Sequence, residues 1–227
     1  MIDPHSDLRS VREATDRLLA AVAALDNAAV AGPSRLPGWT RGHVLAHLSR
    51  NADALVNVLE GRPMYVSGEA RDADIERDAP RPLADQLDDL RASAARFQDA
   101  GSVLADWNRT VELRNGVTDR AARVPFRRLV EVELHHVDLG IGYELEDLPK
   151  EFTQRETEFL AQRFGGAASV PPTRIVTAVG EWRTGGTEGP EVTVSGTPAD
   201  VLGWLAGRRD GAALAAAGGP LPVIPPL

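Results

Sequence analysis

The chain has no cysteine in 227 residues. That absence excludes disulfides, cysteine-based zinc sites and cysteine nucleophiles, so the fold rests on its own core and any thiol chemistry uses a thiol brought from outside. Lysine is nearly missing as well: of the 25 basic residues Lys150 is the sole lysine and 24 are arginines. With abundant Ala and Gly this fits a GC-rich coding bias, which makes alanine content weak evidence for helix. No uninterrupted apolar run approaches the roughly 18 to 20 residues of a membrane span. The opening Met1-Ile2-Asp3-Pro4-His5-Ser6-Asp7 lacks a basic-then-apolar signal, and the expectation is a cytoplasmic protein without a membrane partner. Excess positive charge is also missing. A formal charge of -8 and a pI near 5.2 argue against a nucleic-acid binder, which shows a basic footprint. There is no internal repeat and no glycine-rich phosphate loop after a strand. Small molecules are the expected partners, and the protein is expected to be a monomer or dimer.

What is present is enough apolar material, 43% of the chain, to build one domain or two. From Asp7 to Leu25 the residues Leu8, Val11, Ala14, Leu18, Leu19, Val22 and Leu25 recur at spacings of three and four, which predicts an amphipathic helix. Pro33 and Pro37-Gly38 break the chain, and Thr40 is suited to cap a second helix through Val44, Leu48, Leu55 and Leu59 to Gly61. The polar stretch from Arg62 to Pro82 reads as a long loop, a candidate lid or binding segment. A third helix is predicted from Leu83 to Phe97, continuing less regularly towards Trp107, and a fourth from Pro125 to Tyr143. An antiparallel four-helix bundle over residues 1–148 is the economical architecture.

After Leu148-Pro149 the pattern changes. A helix from Lys150 to Phe164 precedes two β-branched runs, Arg174 to Val179 and Glu191 to Val194, which read as strands of a hairpin separated by the turn-rich Thr184 to Pro190. Thr197 and Pro198 open a short helix to Gly207, and the Pro-rich tail from Pro220 to Leu227 is expected to be extended. Residues 149–227 thus form a smaller α/β domain.

Histidines at metal-binding spacing stand on two of these helices, in Gly-His43-Val-Leu-Ala-His47-Leu and in Glu131-Val-Glu133-Leu-His135-His136-Val-Asp138. Four residues advance an α-helix by about 400°, so Glu131 and His135 emerge about 40° apart on one face, a turn from each other. A third imidazole from the other helix, His47 in preference to His43, would leave one tetrahedral position open, as in catalytic zinc sites. Leu48 and Leu55 on adjacent positions put His47 nearer the core side. Glu133 and His136 are the register-shifted alternative, with His136 on the apolar stripe; an i, i+4 Glu/His pair is also commonly a mere surface contact. Asp138 is a candidate to orient a liganding imidazole. Trp39 reads as core. Arg71, Asp72 and Asp74 are either cofactor or substrate contacts or a solvated charged loop.

Four blocks together resemble the mycothiol-dependent maleylpyruvate isomerase family: Leu36-Pro-Gly-Trp39-Thr40-Arg-Gly-His43-Val-Leu-Ala-His47-Leu48, the loop with Met64-Tyr65 and Ala70 to Ile75, Arg128 to Gly140, and Trp204-Leu-Ala-Gly-Arg208. The likeness spans nearly the whole chain. It implies a DinB-like four-helix bundle holding a divalent metal, zinc first among several, joined to a small C-terminal α/β domain. The implied ligands are His47, Glu131 and His135, and an arginine important for catalysis falls on Arg208. The implied reaction turns maleylpyruvate into fumarylpyruvate, in aromatic catabolism through gentisate. Mycothiol adds to the cis double bond as a metal-activated thiolate, the adduct rotates about its new single bond, and the thiol is expelled from the trans isomer. Arg208 suits the substrate's carboxylates and developing enolate as a bidentate guanidinium. Related chains keep the triad and transfer mycothiol to other electrophiles, so a mycothiol S-transferase is the alternative. An intact triad weighs against a third class, a non-catalytic metal-binding regulator.

Overall fold

Helix α1 (Pro4–Val22) starts where Asp3 accepts the backbone N–H groups of His5 and Ser6 and where Pro4 supplies a preset φ in the first turn. Its buried residues include Leu8, Val11, Ala14, Leu18 and Val22 of the stripe read from the spacing, whereas Leu19 is half-buried and Leu25 lies beyond the helix, which ends at Val22. The computed structural model describes residues 3–226 and divides into two units, Met1–Tyr143 and Glu144–Leu227.

In the first unit a short helix α2 (Asn27–Ala31) precedes α3 (Arg41–Leu59), capped by Thr40 as its side chain suggests. The bundle is completed by α5 (Leu83–Ser102) and α6 (Val124–Asp138): α3 packs on α5 and α6, and α1 packs on α6 and α5. Leu18, Leu48, Leu55, Leu90 and Phe97 are wholly buried at its centre. Each such side chain contributes about 1.5–3 kcal/mol by leaving water. Helix α6 runs against α3, since Arg128 reaches Leu48 and Asn51 while Glu131 reaches His47. Helix α1 runs against α5, because Leu8 near its start meets Gln98 and Gly101 near the end of α5. The neighbours α3 and α5 run the same way: Gly42 lies on Gln86, Arg50 on Asp89, and Asp53 on Arg96.

That parallel pair needs a connection returning the length of the bundle, and the connection is partly helical. The stretch expected to be a loop from Arg62 to Pro82 contains α4 (Gly68–Asp78), capped by Ser67, whose hydroxyl accepts the N–H of Ala70. Ile75 is its one buried apolar residue, so there was no stripe for periodicity to register. Charge anchors it instead, with Asp78 3.5 Å from Arg50 and 2.9 Å from Arg77. The third bundle helix also stops short of Trp107. It ends at Ser102, and a turn in which Asp106 accepts the N–H of Asn108 leads into an antiparallel pair, β1 (Thr110–Glu112) and β2 (Thr118–Arg120). Helix α6 ends at Asp138 rather than Tyr143 because Gly140 and Gly142 take left-handed φ values of 63° and 96°.

The second unit holds α7 (Lys150–Arg163), β3 (Thr173–Thr177), β4 (Gly180–Thr184), β5 (Val192–Ser195), α8 (Pro198–Leu205) and β6 (Ala215–Ala217). The two β-branched runs do not form the expected hairpin. They pair in parallel, Ile175 opposite Val194, and β3 makes its hairpin with β4, giving the order β4-β3-β5-β6. Strand β4 escaped notice because Gly-Glu-Trp-Arg-Thr is mostly polar, and β6 because it is an exposed run of alanine. Helix α8, capped by Thr197, packs on α7 and β3. Residues 221–226 carry no helix or strand; Leu227, the end of the expected extended tail, lies outside the described residues.

Candidate metal centre

Two antiparallel helices bring His47, Glu131 and His135 together. One ligand atom from each lies within 4.8 Å of the others, and this is the one such group of three His, Cys or acidic residues among the described residues. A single carboxylate oxygen, Glu131 Oε2, stands 2.9 Å from His47 Nε2 and 3.2 Å from His135 Nε2. Donors held about 2.0–2.2 Å from a tetrahedral zinc-sized ion stand roughly 3.3 Å apart, so these spacings and this donor set fit a divalent metal. The side chains of His47 and His135 are 7% and 12% exposed and that of Glu131 31%, which leaves one open approach beside the carboxylate.

The electrostatics are asymmetric. Burial pushes the Glu131 carboxyl up, but hydrogen bonds from His135 and His47 hold it well below the ordinary carboxylate range. Burial pulls the His47 imidazole below its ordinary value despite Glu131. At His135 burial acts the same way, but Asp138 and Glu131 outweigh it and the pKa is raised. Asp138 is fully buried, and its Oδ2 accepts from His135 Nδ1 at 2.8 Å. With a metal bound, that bond would keep the ring proton on Nδ1 and leave the Nε2 lone pair for the ion. Replacing Asp138 by Asn is expected to weaken metal binding by about 10–100-fold, measured by chelator competition, with the helical circular dichroism unchanged.

The histidines left over have other tasks. His43 Nδ1 lies 2.7 Å from the Thr40 hydroxyl and accepts the Thr40 backbone N–H at 3.2 Å, closing the capping box of α3. Buried His136 stacks on Tyr143 with centroids 4.0 Å apart. Glu133 is held by Arg17 at 2.6 Å and by the Tyr143 hydroxyl at 2.8 Å. Glu133 is thus tied to α1, and His136 packs on the Tyr143 ring just past α6. Trp39, expected in the core, is half-buried and covers His43 and His47, with centroids 6.1 and 5.6 Å away.

Around the triad stand Arg128, which the sequence reading did not single out, and Arg71, one of its candidate contacts. Arg128 is fully buried: its Nη1 donates to Leu48 O and Asn51 Oδ1, both at 2.8 Å, and burial draws its pKa down to about 10. Arg71 on α4 reaches His47, with Nη2 3.1 Å from Nδ1, and its guanidinium carbon lies 6.0 Å from the Tyr65 ring centroid. Tyr65 also lines a cavity of about 540 Å3 with Arg62, Arg109 and Arg114. Arg208 belongs to the second unit, half-buried just after α8, with Nη1 donating to Ala206 O at 2.7 Å. Its neighbour Arg209 is committed to Asp200 and Glu146.

A four-helix bundle carrying a His/His/Glu cluster, followed by a small mixed-sheet unit, defines the class: a two-unit protein with a candidate metal centre in its helical part. Residues 11–140 match the mycothiol maleylpyruvate isomerase N-terminal domain and residues 147–226 the MDMPI C-terminal domain, and the chain belongs to this enzyme family. Its structure is similar to the crystal structure of a mycothiol-dependent maleylpyruvate isomerase, with 26% identity, TM-score 0.87, and coverage of 99% of this chain and 97% of that one. A histidine-to-alanine mutant of a mycothiol-dependent maleylpyruvate isomerase gives 25% identity, TM-score 0.86 and the same coverage. No curated protein matches the sequence.

Proposed function

We propose that the protein is a mycothiol-dependent cis-trans isomerase that converts maleylpyruvate to fumarylpyruvate in the cytoplasm, as a step of gentisate degradation. A divalent metal, zinc first, is held by His47, Glu131 and His135. The observation that carries the reading is this His/Glu/His triad, in a chain whose two parts match both domains of the family. When bound, the metal supplies a Lewis acid that holds a coordinated thiol as thiolate at neutral pH. The chain has no cysteine of its own, so that thiol is the cofactor's.

The chain's residues do the rest. Glu131 offsets part of the ion's charge, and Asp138 fixes the His135 ring through Nδ1. Trp39 covers one side of the His47 ring. Arg208 takes a substrate carboxylate or the developing enolate, for which a guanidinium offers two parallel donors.

The test is a maleylpyruvate assay on metal-loaded protein, with and without mycothiol, the product identified by mass and by the NMR coupling across its double bond. The expected result is thiol-dependent fumarylpyruvate of unchanged mass. Accumulation of a thiol adduct would replace this reading with a mycothiol S-transferase. In the same assay Arg208→Ala is expected to keep its metal and lose turnover by about 100-fold or more; wild-type turnover would remove Arg208 from the reaction.

A further inference from the structure

Arginine donates hydrogen bonds and accepts none, so the 3.1 Å contact between Arg71 Nη2 and His47 Nδ1 fixes Nδ1 as the acceptor. The ring proton of neutral His47 then sits on Nε2 and points at Glu131 Oε2, 2.9 Å away. A metal among the three ligands needs the Nε2 lone pair, and with it the ring proton belongs on Nδ1. That N–H would face the N–H of Arg71, donor against donor. His135 is arranged in the opposite sense, its Nδ1 facing the acceptor Asp138. One histidine of the pair is therefore preset for a metal, and the other is held by a cation that a metal would displace.

We propose that Arg71 changes partner when the centre loads, releasing His47 and taking the carboxylate of the anionic substrate, so that α4 carries the substrate-positioning cation of the first unit. This rests on the proposed isomerase reading for the substrate's charge and on the triad for the metal. A released Arg71 stays at the mouth of the centre. Its Nη1 is tethered to Asp72 Oδ1 at 2.6 Å, and the Tyr65 ring flanks it. The side chain is 14% exposed, so it has little water to lose, and its freed edge presents the fork that matches a carboxylate. Helix α4 buries only Ile75 among apolar residues, so little packing opposes a shift of its first turn.

The experiment compares full-length wild type, Arg71→Gln and Arg71→Lys. Zinc affinity is read by chelator competition, and maleate, a plain cis dicarboxylate, is titrated calorimetrically into each zinc-loaded protein. Glutamine offers a carbonyl oxygen that accepts from His47 Nδ1–H, so R71Q is expected to bind zinc more tightly than wild type, by about threefold or more, and maleate about tenfold more weakly. R71K is expected to recover part of the maleate affinity, as a point charge without the fork. Weaker zinc binding by R71Q would overturn the exchange, because Arg71 would then be supporting His47 in the loaded state. Maleate affinity equal to wild type in R71Q would overturn the carboxylate role. Neither reading depends on turnover, so a failure of the isomerase assignment in product analysis is distinguishable from a failure here.

Discussion

His47→Ala and His135→Ala are each expected to reduce zinc affinity by more than about 100-fold, since loss of a residue that merely orients a ligand already costs about 10–100-fold and a lost ligand costs more. The bundle is expected to remain folded in both. His47 projects from α3 beneath Trp39, and His135 from the last turn of α6, and neither belongs to the leucine and phenylalanine centre. Chelator competition gives the affinity and thermal melting of the metal-free proteins gives the fold. Stoichiometric zinc retained at wild-type affinity in both variants would remove the triad as a metal site. The two histidines are predicted to differ in a secondary respect: His135→Ala leaves buried Asp138 without its 2.8 Å imidazole partner, so its metal-free form should melt lower than that of His47→Ala.

The second large effect is expected at Gly42, in the first turn of α3. A Cβ there would lie 2.2 Å from the backbone oxygen of Ala79 and 3.1 Å from Gln86 Nε2. The Gln86 amide can swing aside, but the Ala79 carbonyl is backbone and cannot give way as a side-chain end can. Gly42→Ala should therefore push the end of α4 away from α3 and destabilise the protein by about 1–3 kcal/mol or more, read from a urea or thermal unfolding curve. The same displacement moves Arg71 and the cap around His43, so zinc affinity should change as well. A melting temperature equal to wild type would mean that α4 does not rest where Gly42 meets Ala79.

Much of the site was legible because helices repeat. Glu131 and His135, four apart, share a face by geometry alone, and Leu48 and Leu55 put His47 nearer the core side, where the structure buries it. Thr40 was legible as a cap for the same local reason. The parts that escaped are held by contacts between distant residues. Helix α4 has charge where a stripe would be, Arg50 to Asp78 spanning two elements, and so read as a loop. The parallel pairing of β3 with β5 depends on a third strand passing between them in sequence, and nothing in either β-branched run encodes its direction. Arg71 belongs to the centre only because α4 brings it to His47 across 24 positions of chain. Its sequence neighbourhood, rich in acidic residues, gave an equal case for a solvated loop.

The shared direction of α3 and α5 has an electrostatic consequence. Each helix carries about half a positive charge at its N-terminus, and two parallel neighbours place these like ends side by side. Carboxylates gather where the ends meet: Asp85 lies in the first turn of α5, and Asp78 closes α4 just before the Ala79 that Gly42 touches. Burial pushes the Asp78 carboxyl up, but Arg77, Arg50 and Arg81 hold it below its ordinary value, so it remains an anion at this seam. Helix α4 thus brings an arginine-held anion to the seam between the two helices it joins.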